Sequence, residues 1–80
     1  MTQDSKLDWK YAAGWGDASL YYKGHRIDAH RDNRTENGTI WEVRLNGQLV
    51  ESGAEYDSGS AYVALERVVR RIMTNLDAVQ

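Results

Sequence analysis

The stretch RLNGQLV, residues 44–50, carries the strongest short-range hairpin signal in the chain, the dipeptide Asn46-Gly47. Both central residues of a two-residue type I′ turn need positive φ, which Gly accepts freely and Asn accepts better than most residues. The sequence therefore predicts two antiparallel strands around this turn. In that register the cross-strand pairs on one side of the hairpin are Leu45 with Gln48, Val43 with Val50 and Trp41 with Ser52. This side is mostly apolar, so it is expected to pack against the core.

The other side of this hairpin carries charge. The same register puts Glu42 opposite Glu51, and directly opposed like charges weaken a sheet by some tenths of a kcal/mol unless a cation such as Arg44 lies diagonally between them. This side of the hairpin is expected to face away from the core.

A second hairpin is predicted upstream, in ASLYYKGHRIDAH, with Lys23-Gly24 at the reversal. The expected partners are Tyr22 with His25, Tyr21 with Arg26, Leu20 with Ile27 and Ala18 with Ala29. Because side chains alternate along a strand, Leu20, Tyr22, Ile27 and Ala29 are expected to face the core, and Tyr21, Arg26 and Asp28 to face outward. One long strand with a bulge at the glycine is an alternative with similar faces.

The apolar period changes after Gly53. From residue 60 to residue 79 apolar side chains recur at spacings of three and four, which predicts an amphipathic helix of about five turns. Asp57 and Ser58 are both candidate N-caps. The central stripe contains Ala61, Leu65, Val68, Ile72, Leu76 and Val79, with Tyr62, Val69 and Met73 beside it. The opposite face, either simply solvated or a basic strip for phosphates or acidic side chains, contains Glu66, Arg67, Arg70, Arg71, Thr74 and Asp77.

The remaining segments are polar or short. Residues 1–6 are expected to form a disordered tail, and residues 7–13 a short strand or an extended arm on the core. The turn GWGD, residues 14–17, lacks the third glycine and the flanking strand and helix of a dinucleotide site. Residues 32–38, DNRTENG, contain no apolar side chain and are expected to form a polar loop, a common place for function.

Together these elements predict an α+β domain of two layers, an antiparallel meander of about four strands followed by one long C-terminal amphipathic helix. Residues 1–80 are expected to form a single domain. The helix can cover only one face of the sheet. The uncovered face, a plausible binding surface, is expected to contain Tyr21, Arg26, Asp28, Ile40, Glu42, Arg44, Leu49 and Glu51.

The composition favours binding over catalysis. The chain has five tyrosines, three tryptophans and no phenylalanine, and Tyr and Trp offer large contact areas with a polar group. The net charge of −2 is neither polybasic nor strongly acidic. The absence of cysteine, of an apolar run long enough for a membrane span and of a signal-peptide pattern predicts a cytoplasmic protein with no membrane association, a monomer by default.

Enzymatic motifs are missing from the sequence. There is no GxSxG elbow, and two layers of 80 residues leave little room for a cleft around paired carboxylates. His25, Asp28, His30 and Asp32 suggest a metal site, but the two histidines are five residues apart, which places them on opposite faces of a strand. We therefore expect no enzymatic activity, no metal and no cofactor.

Residues 39–72, TIWEVRLNGQLVESGAEYDSGSAYVALERVVRRI, resemble the last two strands and the final helix of double-stranded-RNA-binding domains. In that family lysines at the start of the helix clamp phosphates. Here the matching residues are Ser58, Gly59, Ser60, Ala61 and Tyr62, so the main electrostatic contribution to RNA binding is missing. The resemblance implies a similar fold, with nucleic-acid binding as the alternative function, and we expect no tight binding to duplexes.

In its size, its lack of a catalytic motif, its richness in Trp and Tyr and its strands-then-helix layout, the whole chain resembles the small anti-CRISPR proteins of phages and mobile elements. That resemblance implies stoichiometric binding to a subunit of a CRISPR effector complex, which blocks DNA recognition or nuclease recruitment. The implied mode is either steric occlusion or contact of an acidic patch, Asp28, Asp32, Glu36, Glu42 and Glu51, with basic DNA-binding residues. The candidate protein-binding residues are therefore Tyr21, Arg26, Asp28, Asp32, Glu36, Glu42, Arg44 and Glu51.

Overall fold

The computed structural model describes Leu7, Trp9, residues 17–36 and residues 38–78, with only the backbone described for Arg34 and Thr35. The elements are β1 (Asp17–Tyr22), β2 (His25–Thr35), β3 (Gly38–Leu45), β4 (Gln48–Glu55) and α1 (Ser58–Ala78). The strands form one antiparallel sheet in the order β1-β2-β3-β4, which confirms the predicted α+β class. The predicted N-terminal tail, the turn at residues 14–16 and Val79 lie outside the described residues.

Both two-residue turns are present where the sequence predicts them. Lys23 and Gly24 have φ of 52° and 83°, and Asn46 and Gly47 have φ of 52° and 87°, as a type I′ turn requires. The predicted register of the first hairpin is confirmed from Ala18 opposite Ala29 to Tyr22 opposite His25.

The predicted register of the second hairpin is wrong beyond Arg44. Arg44 faces Leu49, but the register then shifts, so that Val43 faces Glu51 and Val50 is the extra residue of a β-bulge. The bulge brings Gly53 opposite Trp41, and a Cβ atom at residue 53 would lie 2.8 Å from Cζ2 of the Trp41 ring. Only glycine leaves room for the indole here, which gives the shifted register a packing reason.

This bulge moves Glu51 to the helix side of the sheet, where it shares a face with Val43. Its Oε1 accepts a hydrogen bond from Nη2 of Arg71 at 2.5 Å. Glu42 faces Ser52 and not Glu51, so the predicted repulsion between two glutamates is absent from this pair. The expectation that Glu51 lies on the uncovered face is therefore wrong.

The polar segment after residue 31 is largely a strand. β2 continues to Thr35 and β3 begins at Gly38, so the prediction of a loop over residues 32–38 is wrong for residues 32–35 and for Gly38. Asp32 faces Ile40 and Thr35 faces Gly38, with an irregularity between the two pairs. Pairing with the β3 backbone keeps this segment extended although it lacks the apolar alternation by which strands are recognised.

Helix α1 begins directly after its N-cap, Asp57. Oδ1 of Asp57 accepts a hydrogen bond from the backbone N–H of Ser60 at 2.8 Å, which decides between the two predicted caps. The same hydrogen bond lowers the pKa of Asp57. The described part of the predicted apolar stripe faces the sheet, with Ala61, Leu65, Val68, Val69 and Ile72 buried against Leu20, Ile27, Ala29, Trp41 and Val43.

The start of α1 is also held by polar contacts. Nη1 of Arg31 donates to Oγ of Ser58 at 2.9 Å and to the Ser58 carbonyl at 3.1 Å, and its guanidinium lies 5.4 Å from the centre of the Tyr62 ring. The Trp9 indole N–H donates to the Tyr62 hydroxyl at 3.0 Å, while Leu7 is buried in the core. The predicted contact of this N-terminal arm with the core is therefore present at Leu7 and Trp9.

The end of α1 is tied to the first hairpin through Asp77. Nζ of Lys23 lies 2.9 Å from Oδ1 of Asp77, and the Tyr22 hydroxyl donates to the same oxygen at 2.8 Å. These hydrogen bonds, that of Lys23 first, lower the pKa of Asp77, and the carboxylate raises the pKa of both Tyr22 and Lys23. Neither this helix nor any other among the described residues is long and apolar enough to cross a membrane.

Candidate functional site

The face of the sheet opposite α1, here called the open face, is built from alternate residues of the four strands. Residues that pair across the strands place their side chains in four rows that run perpendicular to the strands. The first row is the one nearest the two tight turns, and the fourth is the one farthest from them. The first row contains Tyr21 and Arg26, the second Ser19, Asp28, Arg44 and Leu49, the third Asp17, His30, Glu42 and Ser52, and the fourth Asp32, Ile40 and Ala54.

The charges of the open face form ion pairs with each other. Nε of Arg26 donates to Oδ1 of Asp28 at 2.8 Å, and Nε of Arg44 donates to Oε2 of Glu42 at 3.2 Å. The Ser19 hydroxyl donates to the same Asp28 oxygen at 2.5 Å, so this carboxylate accepts one hydrogen bond from β1 and one from its own strand, β2. A hollow of about 390 Å³ lies among these second-row and third-row side chains.

The large apolar side chains of the open face lie around this ionic centre. Tyr21 is 60% exposed, Leu49 51% and Ile40 43%. Tyr21 lies on β1 and Leu49 on β4, the two edge strands, while Ile40 lies in the row farthest from the tight turns. Exposed apolar groups around a polar centre are the features expected of a contact surface for another protein.

The two histidines have different partners. Nδ1 of His30 contacts Oδ1 of Asp17 on the open face, whereas Nδ1 of His25 lies 2.9 Å from Nδ2 of Asn46 near the turns. The Ser19 hydroxyl is bonded to Asp28, so the serine and the imidazole on this face have separate carboxylate partners. Within the described part of the chain, no three His, Asp or Glu side chains are grouped to hold a metal ion.

The structure brings together six of the eight predicted binding residues. Tyr21, Arg26, Asp28, Asp32, Glu42 and Arg44 all lie on the open face. Glu51 points to the helix side because of the bulge, and Glu36 is an exposed turn residue after β2, outside the strand rows. The predicted acidic patch of five residues is therefore not one patch.

Sequence reasoning missed five members of the open face, Asp17, Ser19, His30, Ser52 and Ala54. The predicted register of the first hairpin already contained the signal for Ser19 and His30, because alternation places them on the same side as Tyr21 and Arg26. To predict Asp17 on the open face, one would have had to know that β1 begins at that residue.

The arginines on α1 do not form a continuous basic strip. Nη2 of Arg70 pairs with Oε2 of Glu66 at 2.7 Å, the predicted pair four residues apart, and Arg71 turns towards Glu51 on β4. Arg67 is exposed. This surface therefore offers fewer available cations than its sequence indicates.

Comparison of the chain with known protein families, with curated proteins and with solved structures finds no match. Function is therefore inferred from the geometry of the open face and from the resemblances in size, composition and layout. What that geometry offers is an ion-paired centre that surrounds a hollow, with exposed apolar side chains around it.

Proposed function

We propose that this chain is a non-enzymatic inhibitor that binds another protein through its open face, in the manner of small anti-CRISPR proteins. Its proposed partner is a subunit of a CRISPR effector complex in the cytoplasm of the host cell, and its proposed effect is to block DNA recognition or nuclease recruitment. The resemblance in size, composition and layout supports this class of partner.

The observation that carries the proposal is the pair at the turn end of the open face. Tyr21 and Arg26 are cross-strand neighbours, and more than half of each side chain is exposed. Tyr and Arg are among the residue types that most often dominate the energy of protein interfaces. An exposed pair on a regular hairpin presents these groups with little loss of backbone entropy on binding.

The charge distribution supports steric occlusion over imitation of DNA. Arg26 and Arg44 neutralise Asp28 and Glu42 within the face itself. A surface that imitates a nucleic-acid backbone would need a run of carboxylates without such partners, because the field of the phosphates is what basic sites recognise. The acidic residues of this face are proposed to set orientation and register on the partner.

Phage plating tests the proposed activity. A phage targeted by a chromosomal CRISPR system is plated on hosts that carry systems of different types, with and without expression of this protein. We expect plating to recover on at least one host, and the corresponding purified effector complex to retain the protein in a stoichiometric amount. Unchanged plating on every host, together with no retention by any purified complex, would contradict the proposal.

A gel-shift titration with duplex RNA and duplex DNA tests the alternative of nucleic-acid binding. Residues 58–62 contain no lysine, and the Ser58 hydroxyl is occupied by Arg31. We therefore expect no tight complex near physiological salt. A submicromolar, salt-sensitive dissociation constant would favour the nucleic-acid function over inhibition of a protein.

A further inference from the structure

We infer that the open face also binds the open face of a second copy of this chain, forming a twofold dimer in which the two sheets stack face to face. This inference goes beyond the proposed function, because it concerns the protein alone and holds whatever its partner is. It rests on the order of charges along the strands, which makes the face complementary to itself.

The relevant symmetry axis lies in the plane between the sheets and runs across the strands, between the second and third rows. Rotation about this axis superimposes each strand on the same strand of the second copy and reverses its direction. The second row of one copy then lies over the third row of the other, and the first row lies over the fourth.

This exchange pairs unlike groups. On β3, Arg44 of one copy lies over Glu42 of the other, and on β2 Arg26 lies over Asp32. The remaining superposition on β2 puts Asp28 over His30, a pair that can form a hydrogen bond. No two like charges are superimposed, which is the condition for charge complementarity across an interface.

A twofold axis along the strands is less favourable. It would place β2 over β3 of the second copy. Asp28 over Arg44 and His30 over Glu42 would still be unlike pairs, but Asp32 would lie over the apolar side chain of Ile40, and Arg26 over the turn at Asn46. The axis across the strands instead gives each of the five carboxylate and guanidinium groups that β2 and β3 place on the open face a polar or oppositely charged neighbour.

The size of the face sets the expected strength of the dimer. Four strands and four rows of side chains span about 19 by 27 Å, so two faces bury roughly 1,000 Å² in total. That area is at the low end for specific interfaces, so the dimer is expected to be weak and reversible. Since both complexes use the open face, self-association and binding of another protein are mutually exclusive.

Sedimentation equilibrium of the purified protein tests the inference. We expect the average mass to rise from 9.1 kDa towards twice that value as the concentration increases from about 10 μM to about 1 mM. High salt should reverse the rise, because ionic contacts hold the interface. A mass of 9.1 kDa throughout this range would overturn the inference, while leaving the proposed inhibition to be decided by phage plating.

Two charge reversals test the arrangement itself. Arg44→Glu and Glu42→Arg should each abolish dimerisation alone, because each superimposes like charges, whereas an equimolar mixture of the two variants should dimerise again. Mixing cannot restore the pair within one chain, so recovery reports contact between chains. Arg67→Glu on the outer side of α1 is the matched control and should dimerise like the wild type. Two single variants that still dimerise, or a mixture that stays monomeric while the wild type dimerises, would overturn the arrangement.

Discussion

The two faces of this sheet use the same strands in opposite ways. On the covered face, Ile27 and Val43 are fully buried beneath α1, and polar contacts lie at the ends and margin of the helix. On the open face the centre is ionic, and the large apolar groups Tyr21, Leu49 and Ile40 stand exposed. The difference indicates that stability comes mainly from one side of the sheet, which leaves the other side available for contacts with another molecule.

The largest expected effect comes from removing a side chain at the centre of the covered face. Leu65 is 1% exposed, so Leu65→Ala should leave a cavity and lower the free energy of unfolding by about 2–5 kcal/mol, with Ile72→Ala in the same range. Chemical denaturation measures the change. Val63→Ala, at an exposed position of the same helix, is the control and should change stability little. Equal stability of all three variants would mean that α1 does not pack on the sheet as described.

The next largest effect is expected where β4 passes under Trp41. Gly53→Ala would bring a methyl group within 2.8 Å of the indole, and overpacking of this kind costs about 1–3 kcal/mol. Gly59→Ala is the matched control, because a Cβ atom there would meet Asp57 Oδ1 at 3.8 Å, an ordinary van der Waals distance. Gly59→Ala should be neutral or mildly stabilising in a thermal melt. A tolerated Gly53→Ala would argue against the bulged register.

A smaller, pH-dependent effect is expected at the N-cap of α1. The hydrogen bond from Ser60 lowers the pKa of Asp57, so its stabilisation is fully present above the aspartate pKa of the unfolded chain, near 4. That stabilisation is lost as the pH falls through the lower pKa of the folded state. Asp57→Ala should therefore lower the melting temperature at pH 7 more than at pH 2. Asp57→Asn, which keeps an N-cap acceptor but cannot titrate, should lose less stability between these two pH values than the wild type.

The smallest effect on stability is expected on the open face. Tyr21→Ala combined with Arg26→Ala removes contact area and a charge but touches nothing in the core, so unfolding should shift by only about 0.5 kcal/mol per substitution. The melting curve of the double variant checks this. A loss comparable with that of Leu65→Ala would show that the open face is part of what holds the fold together, and the contrast between the two faces would disappear.

The sequence predicted the local structure better than the long-range register. Asn46-Gly47 and Lys23-Gly24 fix their turns through backbone preference alone, and the spacing of three and four identifies α1. The bulge at Val50 depends on how Trp41 packs over Gly53, which no pattern along one strand reveals. That single extra residue is why Glu51 was predicted on the wrong face.

Prediction of the candidate site from the sequence had the same limit as prediction of the fold: the local pattern was predictable and the pairing between strands was not. Alternation along β1 and β2 predicted Tyr21, Arg26 and Asp28 on one face, because the side-chain period of a strand is fixed. The extension of β2 to Thr35 depends on pairing with β3, since its own residues give no apolar signal. The ion pairs that neutralise Asp28 and Glu42 depend on side-chain conformations that spacing alone does not determine.

The most direct test of the open face as the binding surface compares two matched double variants for affinity towards the effector complex that retains the protein. One variant carries Tyr21→Ala and Arg26→Ala on the open face. The other carries Tyr56→Ala, at a side chain 87% exposed after β4, and Arg67→Ala on the outer side of α1. Calorimetry should show a loss of affinity of about tenfold or more for the first variant and near wild-type affinity for the second. Full affinity for the open-face variant, with loss in the other, would contradict the account.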